Sequence, residues 1–238
     1  LFLSVIMIVF FSIPLHGTGV RKQRSSIDKD KFVTFSFADS LNGWAVGSVK
    51  TGGLAKDSLR KKNVFKTMVL QTRNGGVNWD LQSVVQSGEE AAEIRTMFAL
   101  DSRHCWIVMS QMFNDKDFIL TTSDGATWKV LNFSYPEIIP KKIFFQNDKS
   151  GWLIGREVFD TDKLYRTADG GKTWQPYAIG FDGTFHDIQF SGKTGYVLAN
   201  LKANPSVTTI LRSKDEGHIW IVAGEVRPDT GFSMQGQS

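Results

Sequence analysis

At 238 residues the chain is long enough for one all-β domain, and a hydrophobic content of 41% is enough for a core. A formal net charge of +4 is a mild bias, and with no aromatic–basic RNA-binding motif it points away from a nucleic-acid partner. A single cysteine, Cys105, excludes an intrachain disulfide, and His16, His104, His186 and His218 lack metal-ligand spacing, so neither a metal nor another cofactor is expected.

The chain opens on an uninterrupted apolar run, LFLSVIMIVFFSIPLHG. It has the character of the apolar region of a secretory signal, with Gly17 and Gly19 suited to cleavage. Residues 1–19 are expected to be a signal peptide or an N-terminal anchor, truncated at its start because no initiator Met precedes it. A spanning helix would need about 20 apolar residues. There is no lipobox cysteine, and residues 20–31, polar and charged, read as a linker. Export then puts the rest of the chain outside the cytoplasm, in a periplasm, a thylakoid lumen or the secreted space, tethered if the apolar run is retained.

From residue 32 a repeat sets in. TRNGGVNW begins at Thr72, TTSDGATW at Thr121, TADGGKTW at Thr167 and SKDEGHIW at Ser213. Each has Ser or Thr first, a polar residue third, Gly fifth and Trp eighth, and the starts lie 49, 46 and 46 residues apart. A fixed period in this range is the mark of a repeat architecture. A second signal runs in phase: NGWAVG holds Trp44, HCWIVM holds Trp106, SGWLIG holds Trp152 and TGYVLA holds Tyr196. The aromatic precedes its box by 15 residues in the second and third repeats, 17 in the fourth and 28 in the first, which therefore carries an insertion. All seven Trp are assigned to the repeat, leaving none for a separate ligand site.

Each repeat divides into four short β-type runs, clearest in the fourth as HDIQF, GYVLANL, TTILRS and IWIVAG. No helical periodicity lies between them, which argues against a parallel βαβ sheet. The expected fold is an all-β propeller of four-stranded antiparallel blades over residues 32–226, with four blades detected. Four is the lower limit for a closed ring, so the chain is either a compact four-bladed propeller or a fragment of a larger one. Residues 227–238 are either a tail or the start of a further blade, because TGF echoes TGY.

The boxes fall between the third and fourth strands and are expected to be structural hairpin turns. Their glycines supply φ > 0, their Ser, Thr, Asp and Asn side chains bond turn amides, and their tryptophans pack between sheets. The structural set is Thr72, Asn74, Gly76 and Trp79, then Thr121, Asp124, Gly125 and Trp128, then Thr167, Asp169, Gly171 and Trp174, then Ser213, Asp215, Gly217 and Trp220. Gly-Lys-Thr within GGKTW is no phosphate loop, since the four-residue glycine spacing is missing and a strand follows. S/T-x-D-x-G-x-x-W resembles the Asp box of BNR-repeat propellers, found in sialidases, sortilin-type receptors and the photosystem II assembly and stability factor. GWLIG…YRTADGGKTW is most similar to the last of these, and the resemblance covers about residues 32–224. Three positions depart from it: Asn74 replaces the Asp, Ser123 precedes Asp124 in the second box, and Cys105 takes the Gly place before Trp106. Cys105 is expected to be a small buried residue.

Strand direction alternates within a blade, so the 1–2 and 3–4 turns share one face and the 2–3 and 4–1 loops the other. The first-repeat insertion, SVKTGGLAKDSLRKKNVFK, is expected to be a 2–3 loop, carrying Lys50, Lys56, Arg60, Lys61, Lys62 and Lys66 against Asp57 alone. Of these, Lys56, Arg60, Lys61, Lys62 and Lys66 are the candidate partner-binding residues. Lys141, Lys142, Arg156, Lys163 and Lys202 fall near the same face, mixed with Glu89, Glu90, Glu137, Glu157, Asp160 and Asp162. With no catalytic spacing and no small-molecule substrate evident, the expectation is a non-catalytic extracytoplasmic scaffold that binds another protein. The resemblance implies a membrane-protein assembly intermediate such as that of photosystem II, the basic loop facing an acidic surface or anionic headgroups. The alternative is a sialidase-like glycoside hydrolase or glycan-binding propeller, which needs an arginine cluster, a Tyr–Glu pair and an acid. Against it, Arg95, Arg156 and Arg212 sit at different repeat positions, Tyr135 and Tyr165 have no evident Glu partner, and an Arg-Ile-Pro segment is missing.

Overall fold

The computed structural model describes residues 31–53, 62–86, 92–111, 116–132, 138–157, 161–228 and 231–234. Among them lie seventeen strands and no helix. Blade 1 comprises β1 (Lys31–Phe37), β2 (Gly43–Gly53), β3 (Lys62–Thr72) and β4 (Asp80–Gln86). Blade 2 comprises β5 (Ala92–Ala99), β6 (Cys105–Gln111), β7 (Lys116–Thr122) and β8 (Trp128–Asn132). Blade 3 comprises β9 (Ile138–Phe145), β10 (Gly151–Glu157), β11 (Asp162–Thr167) and β12 (Gln175–Tyr177). Blade 4 comprises β13 (Gly183–Ser191), β14 (Thr194–Leu201), β15 (Asn204–Ser213) and β16 (Ile221–Arg227). Every pairing is antiparallel and follows chain order. Within the C-terminal segment, Gly231–Met234 (β17) pairs with β16 as a fifth strand of the blade 4 sheet.

The core lies between blades. Successive residues of a strand point to opposite sides of its sheet, and here both sides are covered, so the second strands are apolar almost without interruption. In β10, Trp152 and Ile154 join a cluster with blade 4, while Leu153 joins one with blade 2. Clusters of the same kind tie blade 1 to 2, 2 to 3 and 3 to 4. Among the described residues no comparable packing joins blade 4 to blade 1. The inner strands β1, β5, β9 and β13 border a common cavity of about 820 Å³.

Cross-strand volume explains Cys105. Phe37 lies opposite Gly43, Phe145 opposite Gly151 and Phe190 opposite Gly195. A Cβ on those glycines would come within 2.7, 2.6 and 2.5 Å of the facing ring. In blade 2 the same pair is Ala99 and Cys105, and the small alanine makes room for the thiol. Cys105 is fully buried, and burial pushes its pKa well up, as expected of an inert side chain.

The insertion in the first repeat is not a loop over its whole length. β2 and β3 pair without a break from Gly43↔Thr72 to Gly53↔Lys62, leaving only 54–61 between them. Runs flanking that segment, such as SVKT and NVFKTMV, hold β-branched residues at near-alternate positions, so they extend a hairpin. Lys50 and Lys62 are thus strand residues, and Lys66 is half-buried on β3. Lys56, Arg60 and Lys61 lie outside the described residues.

Candidate functional site

The two ends of the blades differ in chemistry. At one end the third box shows how its side chains are used. The Thr167 hydroxyl donates to Asp169 Oδ1 (2.8 Å) and accepts the Gly171 amide (3.0 Å). Asp169 accepts the Thr173 amide at Oδ1 (2.9 Å) and the Thr173 hydroxyl at Oδ2 (2.7 Å). Burial alone would raise the Asp169 pKa, but the Thr173 donors and their neighbours outweigh it and hold the carboxyl below its usual range. In the fourth box Ser213 donates to Asp215 (2.6 Å) and accepts the Gly217 amide (2.9 Å). The Ser213 hydroxyl, followed by the Ile219 amide, lowers the Asp215 pKa. In the first box Asn74 takes the acceptor role, receiving Thr72 Oγ1 (3.0 Å) and the Asn78 amide (2.9 Å). Gly76, Gly125, Gly171 and Gly217 have φ of 87°, 78°, 90° and 90°, where a side chain is strained.

The second box corrects the alignment. Its capping hydroxyl belongs to Thr122, not Thr121. Thr122 donates to Asp124 Oδ1 (3.1 Å) and accepts the Gly125 amide (3.0 Å), while Thr121 donates to the Cys105 carbonyl (2.9 Å). In the ladders Thr122 faces Cys105 just as Thr72, Thr167 and Ser213 face Gly43, Gly151 and Gly195. The box is one residue shorter between its carboxylate and its glycine, so Asp124 occupies the usual Asp place. The Ala126 and Thr127 amides (2.8 and 2.7 Å) hold its pKa far below the normal carboxylate range.

A second turn motif lies at this end, and its spacing is legible in the sequence. Asp39, Asp101 and Asn147 each lie five residues before a strand-2 tryptophan. Each accepts two turn amides at Oδ1, from Leu41 and Asn42, Arg103 and His104, and Lys149 and Ser150 respectively. The box then docks on this turn: the Gly75 and Gly170 amides donate to the Leu41 and Lys149 carbonyls (both 2.9 Å).

At the opposite end, register reveals a repeat that the letters conceal. Each inner strand carries a β-bulge at the same place, and the extra residues are Val33, Arg95, Lys141 and His186. Bulges re-aim side chains and cluster beside functional sites. Arg95 Nε donates to Asp117 Oδ1 (3.0 Å), and burial pushes the Asp117 pKa up against the pull of that guanidinium. Lys141 Nζ donates to Asp162 Oδ2 (2.5 Å) and to the Phe185 carbonyl (3.1 Å). Asp162, whose side chain is fully buried, also receives Arg156 Nε (3.0 Å) and the Phe185 amide (3.0 Å), so it ties blade 3 to blade 4. His186 forms a short hydrogen bond with Asn200. Arg95, Lys141 and Lys142 border the shared cavity.

The cations expected near this face are brought to carboxylates: Lys142 to Asp187 (3.1 Å), Lys163 to Glu157 (2.5 Å) and Lys202 to Asp182 (3.9 Å). Glu89, Glu90, Glu137 and Asp160 lie outside the described residues. Tyr165, for which the sequence offers no evident acidic partner, does have one, since its hydroxyl donates to Glu157 (3.0 Å). The tyrosine is buried, however, and the same carboxylate holds Lys163. Tyr135 is outside the described residues. Arg95 and Arg156 are engaged by different carboxylates in different blades, and Arg212 lies on β15 opposite Tyr196. They form no common carboxylate clamp. Among the described residues no group of three or more His, Cys, Asp or Glu side chains could hold a metal ion.

Four-stranded blades around a shared cavity, each with a Ser/Thr–Asp/Asn–Gly turn between its third and fourth strands, define an Asp-box β-propeller of the BNR-repeat type. Residues 120–224 match the family model described as Photosynthesis system II assembly factor YCF48. Among solved structures, YCF48 bound to D1 peptide is similar at 15% identity and a TM-score of 0.39, over 81% of this chain and 82% of that one. A Trypanosoma rangeli sialidase mutant with trans-sialidase activity is similar at 10% identity and a TM-score of 0.47, over 85% of this chain and 40% of that one. A prolyl endopeptidase is similar at 9% identity and a TM-score of 0.50, over 87% of this chain and 36% of that one. At such identities the likeness bears on the fold alone.

Proposed function

We propose that the chain is a non-catalytic, extracytoplasmic scaffold that holds a protein partner at the end of the propeller opposite the Asp boxes. Its partner is an assembly intermediate of a membrane-protein complex of the photosystem II type. The observation that carries this reading is the contrast between repeat-equivalent positions. The box places recur in all four blades, and their polar atoms are taken up by the turn itself. The bulge places, Val33, Arg95, Lys141 and His186, differ in every blade. In a repeat protein the recurring residues serve the common unit, and the residues that vary on one face are free to give it a binding identity. The family match over residues 120–224 supports an assembly role. The apolar run at residues 1–19 supports export.

A D1 peptide, the ligand in the solved YCF48 structure, is the first probe. Lys142→Glu should weaken its binding by about tenfold while leaving the melt nearly unchanged, because exposed ion pairs contribute under about 1 kcal/mol to folding. Thr173→Ala, in a box, should lower the melting temperature and leave the affinity of the folded protein alone. The reverse pattern would place the binding surface at the box end. Fractionation of the full chain tests export, and recovery of the intact chain from the cytosol would contradict it.

A further inference from the structure

The first box differs from the other three at its acceptor. Asn74 stands where the others have Asp124, Asp169 and Asp215, and Gly75 follows it. The chain holds two Asn-Gly pairs, this one and Asn42–Gly43, both at the box end of blade 1. The dipeptide matters chemically, because a glycine has no side chain to shield its amide nitrogen or to limit the backbone angles it visits. That nitrogen can attack the asparagine Cγ. The N–Cγ bond forms, the Cγ–Nδ2 bond breaks, and ammonia leaves, taking up the amide proton through solvent. Water then opens the cyclic imide at either carbonyl, giving aspartate or isoaspartate. No oxidant or reductant takes part.

The folded box holds both reacting groups. Asn74 Oδ1 receives the Thr72 hydroxyl (3.0 Å) and the Asn78 amide (2.9 Å). The Gly75 amide donates to the Leu41 carbonyl (2.9 Å). Ring closure requires the carboxamide to swing onto the Gly75 nitrogen and that nitrogen to give up its proton, so these bonds must open first. Asn74 and Gly75 are nonetheless exposed, and solvent reaches them as soon as the turn loosens. Asn42 is held differently. Its Nδ2 donates to Asp39 Oδ2 (2.8 Å), and Gly43 is buried on β2, paired with Phe37 on one side and Thr72 on the other. Freeing that nitrogen means parting a central strand.

We propose that Asn74 is a deamidation site that the closed box holds in check, so that an opening of the blade 1 turn is recorded as a new carboxylate. The aspartate product matches the other boxes and accepts the same two donors, with the greater strength of a charged acceptor. The isoaspartate product lengthens the main chain between Thr72 and Gly76, which breaks the spacing of the bond from the Gly76 amide to the Thr72 hydroxyl.

The test is peptide mapping by mass spectrometry on the full chain, aged at mildly alkaline pH in its native state and in urea. Trypsin releases the segment from Asn74 to Arg95, and an amide-to-acid exchange at Asn74 is read from its fragments. In urea Asn74 and Asn42 should convert at comparable rates. In the native chain Asn74 should convert at least about tenfold more slowly than in urea, yet faster than Asn42, because a reaction that needs local opening scales with the open population. Thr72→Val removes one bond to Asn74 and the acceptor of the Gly76 amide, and should speed native conversion by about fivefold or more. Should that variant fail to fold, the comparison of native with urea still decides. Asn74→Asp, the direct product, should melt no lower than the wild type. Native conversion as fast as in urea would overturn the proposal. So would no conversion of Asn74 in urea, Asn42 outpacing Asn74 in the native chain, or an Asn74→Asp chain that melts well below the wild type.

Discussion

The box end and the bulge end are built from the same four blades but use their polar residues in opposite ways. At the box end a hydroxyl, a carboxylate or amide and a glycine repeat in every blade, and their hydrogen bonds close locally, within five residues. At the bulge end the partners lie further off in sequence: Arg95 finds Asp117, Lys141 finds Asp162, and Asp162 reaches Phe185 in the next blade. A motif that repeats because it is locally closed describes the fold. A position that repeats in geometry but not in residue type sets one blade of this surface apart from the next.

The sharpest way to break that contrast is to remove the box side chain that is not local. Trp174 is buried against blade 2 through Phe145 and Trp106. Trp174→Ala should cost about 3–5 kcal/mol by opening a cavity between blades. Thermal or urea melts measure it, and a change below about 1 kcal/mol would mean the inter-blade core tolerates the loss.

Next is Asp162, which brings structural weight to the bulge end. Asp162→Ala should cost about 2–3 kcal/mol, since it strips hydrogen bonds from two cations and from the Phe185 amide. Lys141 and Arg156 keep some contact with water, which holds the effect below that of a fully enclosed pair. A melt compared with Arg95→Ala would show whether the ion pair in blade 2 matters as much as the bridge between blades 3 and 4.

Third is the box carboxylate itself. Asp169→Ala should cost about 1–2 kcal/mol by leaving turn amides unsatisfied. Asp169→Asn should cost less, because Asn74 already fills the place in the first box. The pH response separates the two. Hydrogen bonds from turn amides and hydroxyls hold the folded pKa values of Asp124, Asp169 and Asp215 below the usual carboxylate range. Their contribution is therefore present above the unfolded pKa and is lost as pH falls through the folded values, below about pH 4. The melting temperature should drop on acidification in that window, and Asp169→Asn should drop less steeply.

The smallest effect concerns Glu216, which holds φ of 61° where the first and third boxes have Gly75 and Gly170. Glu216→Gly should stabilise by about 0.5–1 kcal/mol by relieving the left-handed strain. It gives up an exposed ion pair with Lys193 at 3.5 Å, which is worth little. A lower melting temperature would show that this pair outweighs the backbone.

The amino-acid sequence by itself determined the repeat, the four strands of each blade, the boxes between third and fourth strands and the use of every tryptophan. Those features rest on spacing and on alternation, which are local properties of the chain. Pairing decided what spacing could not reach. Thr122 rather than Thr121 caps the second box because the ladder sets it opposite Cys105, and Cys105 is tolerated because Ala99 faces it across the strand. The insertion became a longer hairpin because its flanks pair as far as Gly53 and Lys62. The bulge positions and the Tyr165–Glu157 contact emerged only from register and from packing within and between sheets. Hydrogen-bond partners across strands, and apolar partners across blades, are fixed by three-dimensional proximity, and no count along the chain encodes that.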